Sequence, residues 1–211
     1  MIRLRNCLSR FRRSERGSIP IEGVMGALLL LGWYMVAFEF YDAFRMRSQI
    51  TKATYTVADL LSRQRDDVGP RYVTGMKKVF DFMTDARVQD QSWMRVTLIE
   101  CQAVGSDWRS CDGITKPFVV TSSYATKTGV STHTNTSIRQ EVSRIPVMAA
   151  GDMATIVETA VHYNPFFGIG ERAFAMDGKN FTQIGLNSRL VFSSFVVTRP
   201  RGPRVVWNGA K

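Results

Sequence analysis

The chain has 211 residues, enough for one domain with a sizeable core and an appendage. At 45% hydrophobic and 22% charged it is neither disordered nor membrane-embedded throughout, and its three cysteines and two distant histidines exclude a disulfide scaffold and a histidine-rich metal site. A formal net charge of +10 invites a nucleic-acid or acidic-membrane reading, which the distribution of that charge has to decide.

The charge is concentrated at the start. The first sixteen residues hold Arg3, Arg5, Arg10, Arg12, Arg13 and Arg16 against one acid, Glu15, so this arm carries half of the +10. The apolar run Ile19–Phe38 follows, with Glu22 its only charge. As a helix rising ~1.5 Å per residue it spans about 30 Å, the thickness of a hydrocarbon core. Trp33 and Tyr34 lie near its far end, where amphipathic aromatics favour the interface. Arginines before the run and Glu39 and Asp42 after it orient the helix with its N-terminus in the cytoplasm. The alternative is a buried core helix. The rest of the chain is then expected on the extracytoplasmic side, as a periplasmic domain on an inner-membrane anchor. A cleaved secretory signal would need small residues after the run; YMVAFEFYDAF offers no such site.

The junction is the most specific feature. Gly17 precedes the apolar run, and Glu22 stands five residues later, where a carboxylate costs about 2.5–3.5 kcal/mol at a central depth and is by default functional. This arrangement resembles the processing site of type IV prepilins. In that family a prepilin peptidase cuts after the glycine, and the glutamate at the fifth mature position aids assembly. The arm RFRRSERGSIPIE, the apolar helix, the segment ETAVHYNPFF and the stretch SSFVVTRPR together resemble the TadE-like minor pilins of tight-adherence (Flp pilus) systems. The resemblance implies cleavage between Gly17 and Ser18, with the Ser18 amine meeting Glu22 of a neighbouring subunit. It departs from the Flp pattern at Gly23, where an aromatic is usual. The alternative is an uncleaved signal anchor, in which Gly17 only begins the helix, carrying a periplasmic binding or enzymatic domain. The expected organisation is a leader at 1–17, a transmembrane segment at 18–41 and an extracytoplasmic domain at 42–211. Other pilin-like subunits, the peptidase and inner-membrane lipid are the implied partners. Gly23, Gly26 and Gly32 suggest a small-residue face.

Beyond Asp42, apolar residues recur at Met46, Ile50, Ala53, Val57 and Leu60, the signature of one helix face. Arg45, Arg47, Lys52, Asp59 and Arg63 mark the polar side. The spacing predicts a continuous helix to about residue 65, broken by Gly69-Pro70. A second helix is predicted from Pro70 to about Asp85, with Val73, Met76, Phe80 and Met83 as its stripe. Strand-like runs follow at Ser92–Gln102, Pro117–Tyr124, Asp152–Tyr163 (with helix as an alternative) and Ser188–Thr198. The fold class is α+β: a long N-terminal helix, transmembrane and then amphipathic, packed on an antiparallel sheet. Pilin-like subunits are built this way, as the resemblance also implies. The Ser/Thr-rich stretch 121–137 reads as an exposed loop.

Cys7 lies in the arm. Cys101 and Cys111 form an even pair on the oxidising side, so a disulfide is expected there; two free thiols in a cytosolic domain are the alternative. No cofactor, metal centre or catalytic constellation is expected. His133 and His162 accompany no nucleophile motif, Gly168-Ile169-Gly170 lacks the third glycine of a dinucleotide fingerprint, and Glu100, Asp107 and Asp112 lack EF-hand spacing. The basic segment Arg199–Arg204 reads as solvated, and nucleic acid is not an expected partner because no aromatics interleave it.

Overall fold

A single helix carries the chain from the apolar segment into the domain. The computed structural model of the chain describes residues 18–85, 91–103, 108–166, 186, 190–202 and 204–210. Helix α1, Ser18–Ser62, runs 45 residues without interruption, about 68 Å at ~1.5 Å per residue. Pro20 sits in its first turn, where a missing N–H costs nothing. No other proline occurs before Pro70, and isolated glycines weaken a helix without breaking it. The helix ends at Ser62 and not near 65. There Arg63 N–H is shared between the Asp59 and Leu60 carbonyls, and Gln64 N–H turns to Leu61, the tightened bonding of a terminating turn.

The lower half of α1 buries Ala43, Ile50, Ala53, Val57, Ala58 and Leu61. The expected stripe is therefore right up to its last member: Leu60 is 42% exposed and Leu61 fully buried. Three turns at ~3.6 residues from Ile50 end nearer 61 than 60. Helix α2, Pro70–Thr84, shows the same drift. Val73, Met76 and Phe80 are buried as expected, but Thr84 takes the inner place and Met83 is 37% exposed. Gly69 caps its start, Pro70 opens it, and Asp85 closes it in the left-handed region at φ 53°.

Four strands form one antiparallel sheet: β1 (Ser92–Glu100), β2 (Val119–Ala125), β3 (Met153–His162) and β4 (Val191–Thr198), in the order β2-β1-β3-β4. Each lies within its predicted run, except that β2 extends one residue further, to Ala125. The alanine-rich third run is a strand, because Val157, Ile156 and Val161 pack on both faces of a central position. The Pro117–Tyr124 run shifts to begin at Val119, and the start of the last run, residues 188 and 189, lies outside the described residues. The expected loop at 121–137 needs correction: its first five residues belong to β2, and His133 is buried.

Strand alternation sorts the sheet into two faces. Met94, Val96, Leu98, Val157, Val161 and Val196 meet both helices in one core. Ile99, Phe118, Ala154 and Ile156 face a second, smaller core closed by Ile138, Ile145 and Met148. A 3-10 helix, Ser137–Arg144, contributes to that lid, with Arg144 stacked 4.0 Å over the Phe195 ring. Each fully buried Leu, Ile or Val contributes about 1.5–3 kcal/mol, so α1 and α2 are held chiefly by this apolar contact. A polar tie crosses the main core: Thr54 donates to the Ile50 carbonyl at 2.8 Å, so Thr159 must donate in its 2.7 Å contact with Thr54.

The arginines of the C-terminal segment are exposed, as expected, yet each reaches an acid of the domain. Arg199 pairs with Asp152 at 3.3 Å, Arg201 with Asp59 at 3.3 Å, and Arg204 with Glu100 at 2.5 Å. Val205 is buried, and Val68 N–H donates to the Val206 carbonyl at 2.9 Å, strapping the chain end to the α1–α2 connection. Burying Val205 places the arginines where domain acids lie within reach.

Candidate membrane anchor and assembly site

From Pro20 to Phe38 every residue is exposed except Val36, which is half-buried. Leu28, Leu29, Leu30 and Leu31 are each more than half exposed. An apolar surface of this size on all sides of a helix has no partner inside the domain, unlike a core helix. Among the described residues this is one helix long and apolar enough to cross a membrane, with mean hydropathy 1.7 in its best window.

Of the predicted processing residues, Gly17 lies outside the described residues, and Ser18 is the first residue of α1. Glu22 is exposed one turn further on, at the spacing that puts residues 18 and 22 on one helix face. An added Cβ at Gly23, Gly26 or Gly32 would meet nothing within 4 Å, so these positions are open to a neighbouring helix. Gly32 nevertheless falls on the opposite side from Gly23 at about 100° per residue, so the small face comprises Gly23 and Gly26 only.

The span is locked to the domain at Glu39. This carboxylate is fully buried, accepting from the Tyr163 hydroxyl at 2.8 Å and the Phe166 backbone N–H at 3.1 Å. Phe166 in turn meets Phe38 edge-on, with ring centroids 6.4 Å apart. Burial, and then the Glu39 carboxylate beside it, push the Tyr163 phenol well above its ordinary range. In the sequence Glu39 marks only the end of the apolar run. A signal for more was present: residue 39 extrapolates back along the Ile50–Ala43 face, so a carboxylate stood on the buried stripe.

A second polar cluster lies on the other face of the sheet. Arg95 and Glu158 are direct partners across β1 and β3. Arg95 donates to both Glu158 oxygens, at 2.6 and 2.8 Å, and to the Ser131 carbonyl at 2.6 Å. His133 Nε2 sits 2.9 Å from Glu158 and its Nδ1 sits 3.0 Å from Ser137 Oγ. Burial raises the Glu158 carboxyl, but the His133 and Arg95 hydrogen bonds outweigh it and hold the group below the ordinary glutamate range. The Ser137–His133–Glu158 order has the connectivity of a nucleophile, base and orienting acid. Ser137 Oγ, however, accepts Thr134 N–H at 2.9 Å within its own turn, and the carboxylate is already clamped by a bidentate guanidinium. The cluster therefore reads as a latch that fastens the Ser/Thr-rich segment to the sheet.

Cys101 and Cys111 form the expected disulfide, and both are fully buried. Backbone bonds from Gly151 N–H to the Cys101 carbonyl and between Cys111 and Met148 tie this loop into the smaller core. Gly113 follows at φ 78°, where a Cβ would come within 2.6 Å of Val142. Of the three acids that lack EF-hand spacing, the two described ones are each engaged elsewhere. Glu100 pairs with Arg204, Asp107 lies outside the described residues, and Asp112 accepts from the Thr115 hydroxyl and three backbone N–H groups, which lower its carboxyl. Among the described residues no group of three or more His, Cys, Asp or Glu side chains could hold a metal. His162 lies in β3 and is exposed, and Gly168-Ile169-Gly170 and Cys7 lie outside the described residues. No family model, curated protein or solved structure matches this chain.

Proposed function

We propose that the chain is a structural subunit of the inner membrane, a TadE-like minor pilin or pseudopilin that takes part in assembly of a tight-adherence pilus. The observation that carries this reading is the exposed apolar half of α1, continuous with a half that is built into a folded domain. A helix of this kind can pack laterally against other subunits in the bilayer while the α+β domain selects partners outside it. The Gly17/Glu22 spacing adds the processing step. A prepilin peptidase would release Ser18, whose amine then offsets the buried Glu22 charge of a neighbour. The arginine-rich arm supports a cytoplasmic N-terminus and a periplasmic domain. The pairing of the tail arginines with domain acids weighs against nucleic acid as the partner.

Mass spectrometry of the protein purified from a host containing the peptidase tests this. A mature N-terminus at Ser18, lost in Gly17→Ala, is expected. An intact Met1 under the same conditions would instead identify an uncleaved signal anchor carrying a periplasmic domain.

A further inference from the structure

A groove of about 540 Å³ opens where α1 enters the domain, between α1, the C-terminal end of α2 and the end of β3. Asp42, Arg45, Gln49, Asp85, His162 and Phe166 are among its lining residues. Its height follows from the membrane-anchored reading, on which this inference rests. With the hydrocarbon boundary at Tyr41, where the expected transmembrane segment ends, Asp42 stands about 1.5 Å and Arg45 about 6 Å further along the helix. The polar layer on each side of a bilayer is about 5–8 Å thick. The groove therefore opens at headgroup level, with the 79%-exposed Phe166 at its apolar edge beside Phe38.

The lining charges are of both signs. Arg45 forms no ion pair among the described residues. A guanidinium at this depth is suited to phosphate, which it binds through paired N–H donors. Asp42 faces the same space, and its carboxylate can accept from a further N–H donor. Phosphate and an N–H-bearing cation, a few ångströms apart, are the two ends of one common headgroup.

We infer that this groove receives the headgroup of an amine-bearing phospholipid, its phosphate against Arg45 and its ammonium against Asp42. A quaternary ammonium has no N–H to donate and fits the carboxylate less well. The site would fix how the domain rests on the bilayer.

The test uses the full chain in nanodiscs of equal phosphatidylethanolamine and phosphatidylcholine, with retained lipid read by native mass spectrometry. Wild type is expected to retain phosphatidylethanolamine preferentially. Arg45→Gln should lower total retention about tenfold, and Arg45→Lys should restore part of it. Asp42→Asn should keep retention but lose the preference. Arg47→Gln, exposed on the same helix outside the groove, should match wild type. Equal retention by Arg45→Gln and wild type, or no preference in wild type, overturns the proposal. Vesicle flotation separates the two readings: a chain that floats without lipid preference loses the headgroup site alone, and a chain that does not float loses the anchor as well.

Discussion

The Tyr163 hydroxyl donates to the Glu39 carboxylate at 2.8 Å, joining positions 124 residues apart at the boundary between span and domain. Removing that donor leaves a buried carboxylate with the Phe166 N–H and its neighbours alone. Tyr163→Phe is expected to destabilise the domain by about 1–3 kcal/mol. Glu39→Gln, which still accepts from Tyr163, should cost less. Thermal unfolding of the full chain in detergent, followed by near-ultraviolet circular dichroism, measures both. A Tyr163→Phe chain as stable as wild type would show that the contact carries no weight.

Glu158 gives stability a pH dependence of known sign. Its folded carboxyl lies below the ordinary glutamate value of about 4.3, so the unfolded chain takes up the proton first as pH falls. The stabilisation is complete above that value and is lost as pH drops through the folded one. Glu158→Gln should therefore be destabilised at pH 6 by about 1.5–3 kcal/mol, the weight of hydrogen bonds to a charged group. The gap to wild type should narrow steadily towards pH 3. Urea midpoints across that range check it, and a gap independent of pH contradicts the assignment.

The Cys101–Cys111 disulfide closes a loop with a sequence separation of 10. Loop-closure entropy assigns such a bridge about 2–3 kcal/mol. The double variant Cys101→Ala/Cys111→Ala should lose that amount in guanidinium unfolding. Wild type should fall to the same level when reductant is added, and the variant should not respond to it.

The fold was legible where its cause was local. Periodicity located both helices, alternation located all four strands, and the apolar run marked the exposed half of α1. The error at Met83 comes from following the more apolar residue where helical geometry places Thr84 inside, and that at Leu60 from a spacing one residue short of the three turns that place Leu61 inside. The polar ties were less legible, because they depend on register. Nothing near Glu158 in sequence announces Arg95; the β1–β3 pairing sets them side by side. Glu39 could have been suspected from its place on the buried stripe, but its partner Tyr163 could not. The tail arginines are exposed, as expected, but their acid partners were not legible, because the burial of Val205, which brings them onto the domain, is a tertiary event.

Because α1 passes from its exposed apolar half into the core without a turn, the membrane anchor proposed above would leave the domain no hinge at the bilayer surface. From Phe38 to Ser62 the helix is a stiff arm of about 36 Å. A tilt of about 20°, typical of a spanning helix, would swing its far end roughly 12 Å sideways. On that reading, any neighbour that changes the lean of the apolar half moves the outer domain as a lever moves its load, and a push on the domain is felt as torque within the bilayer.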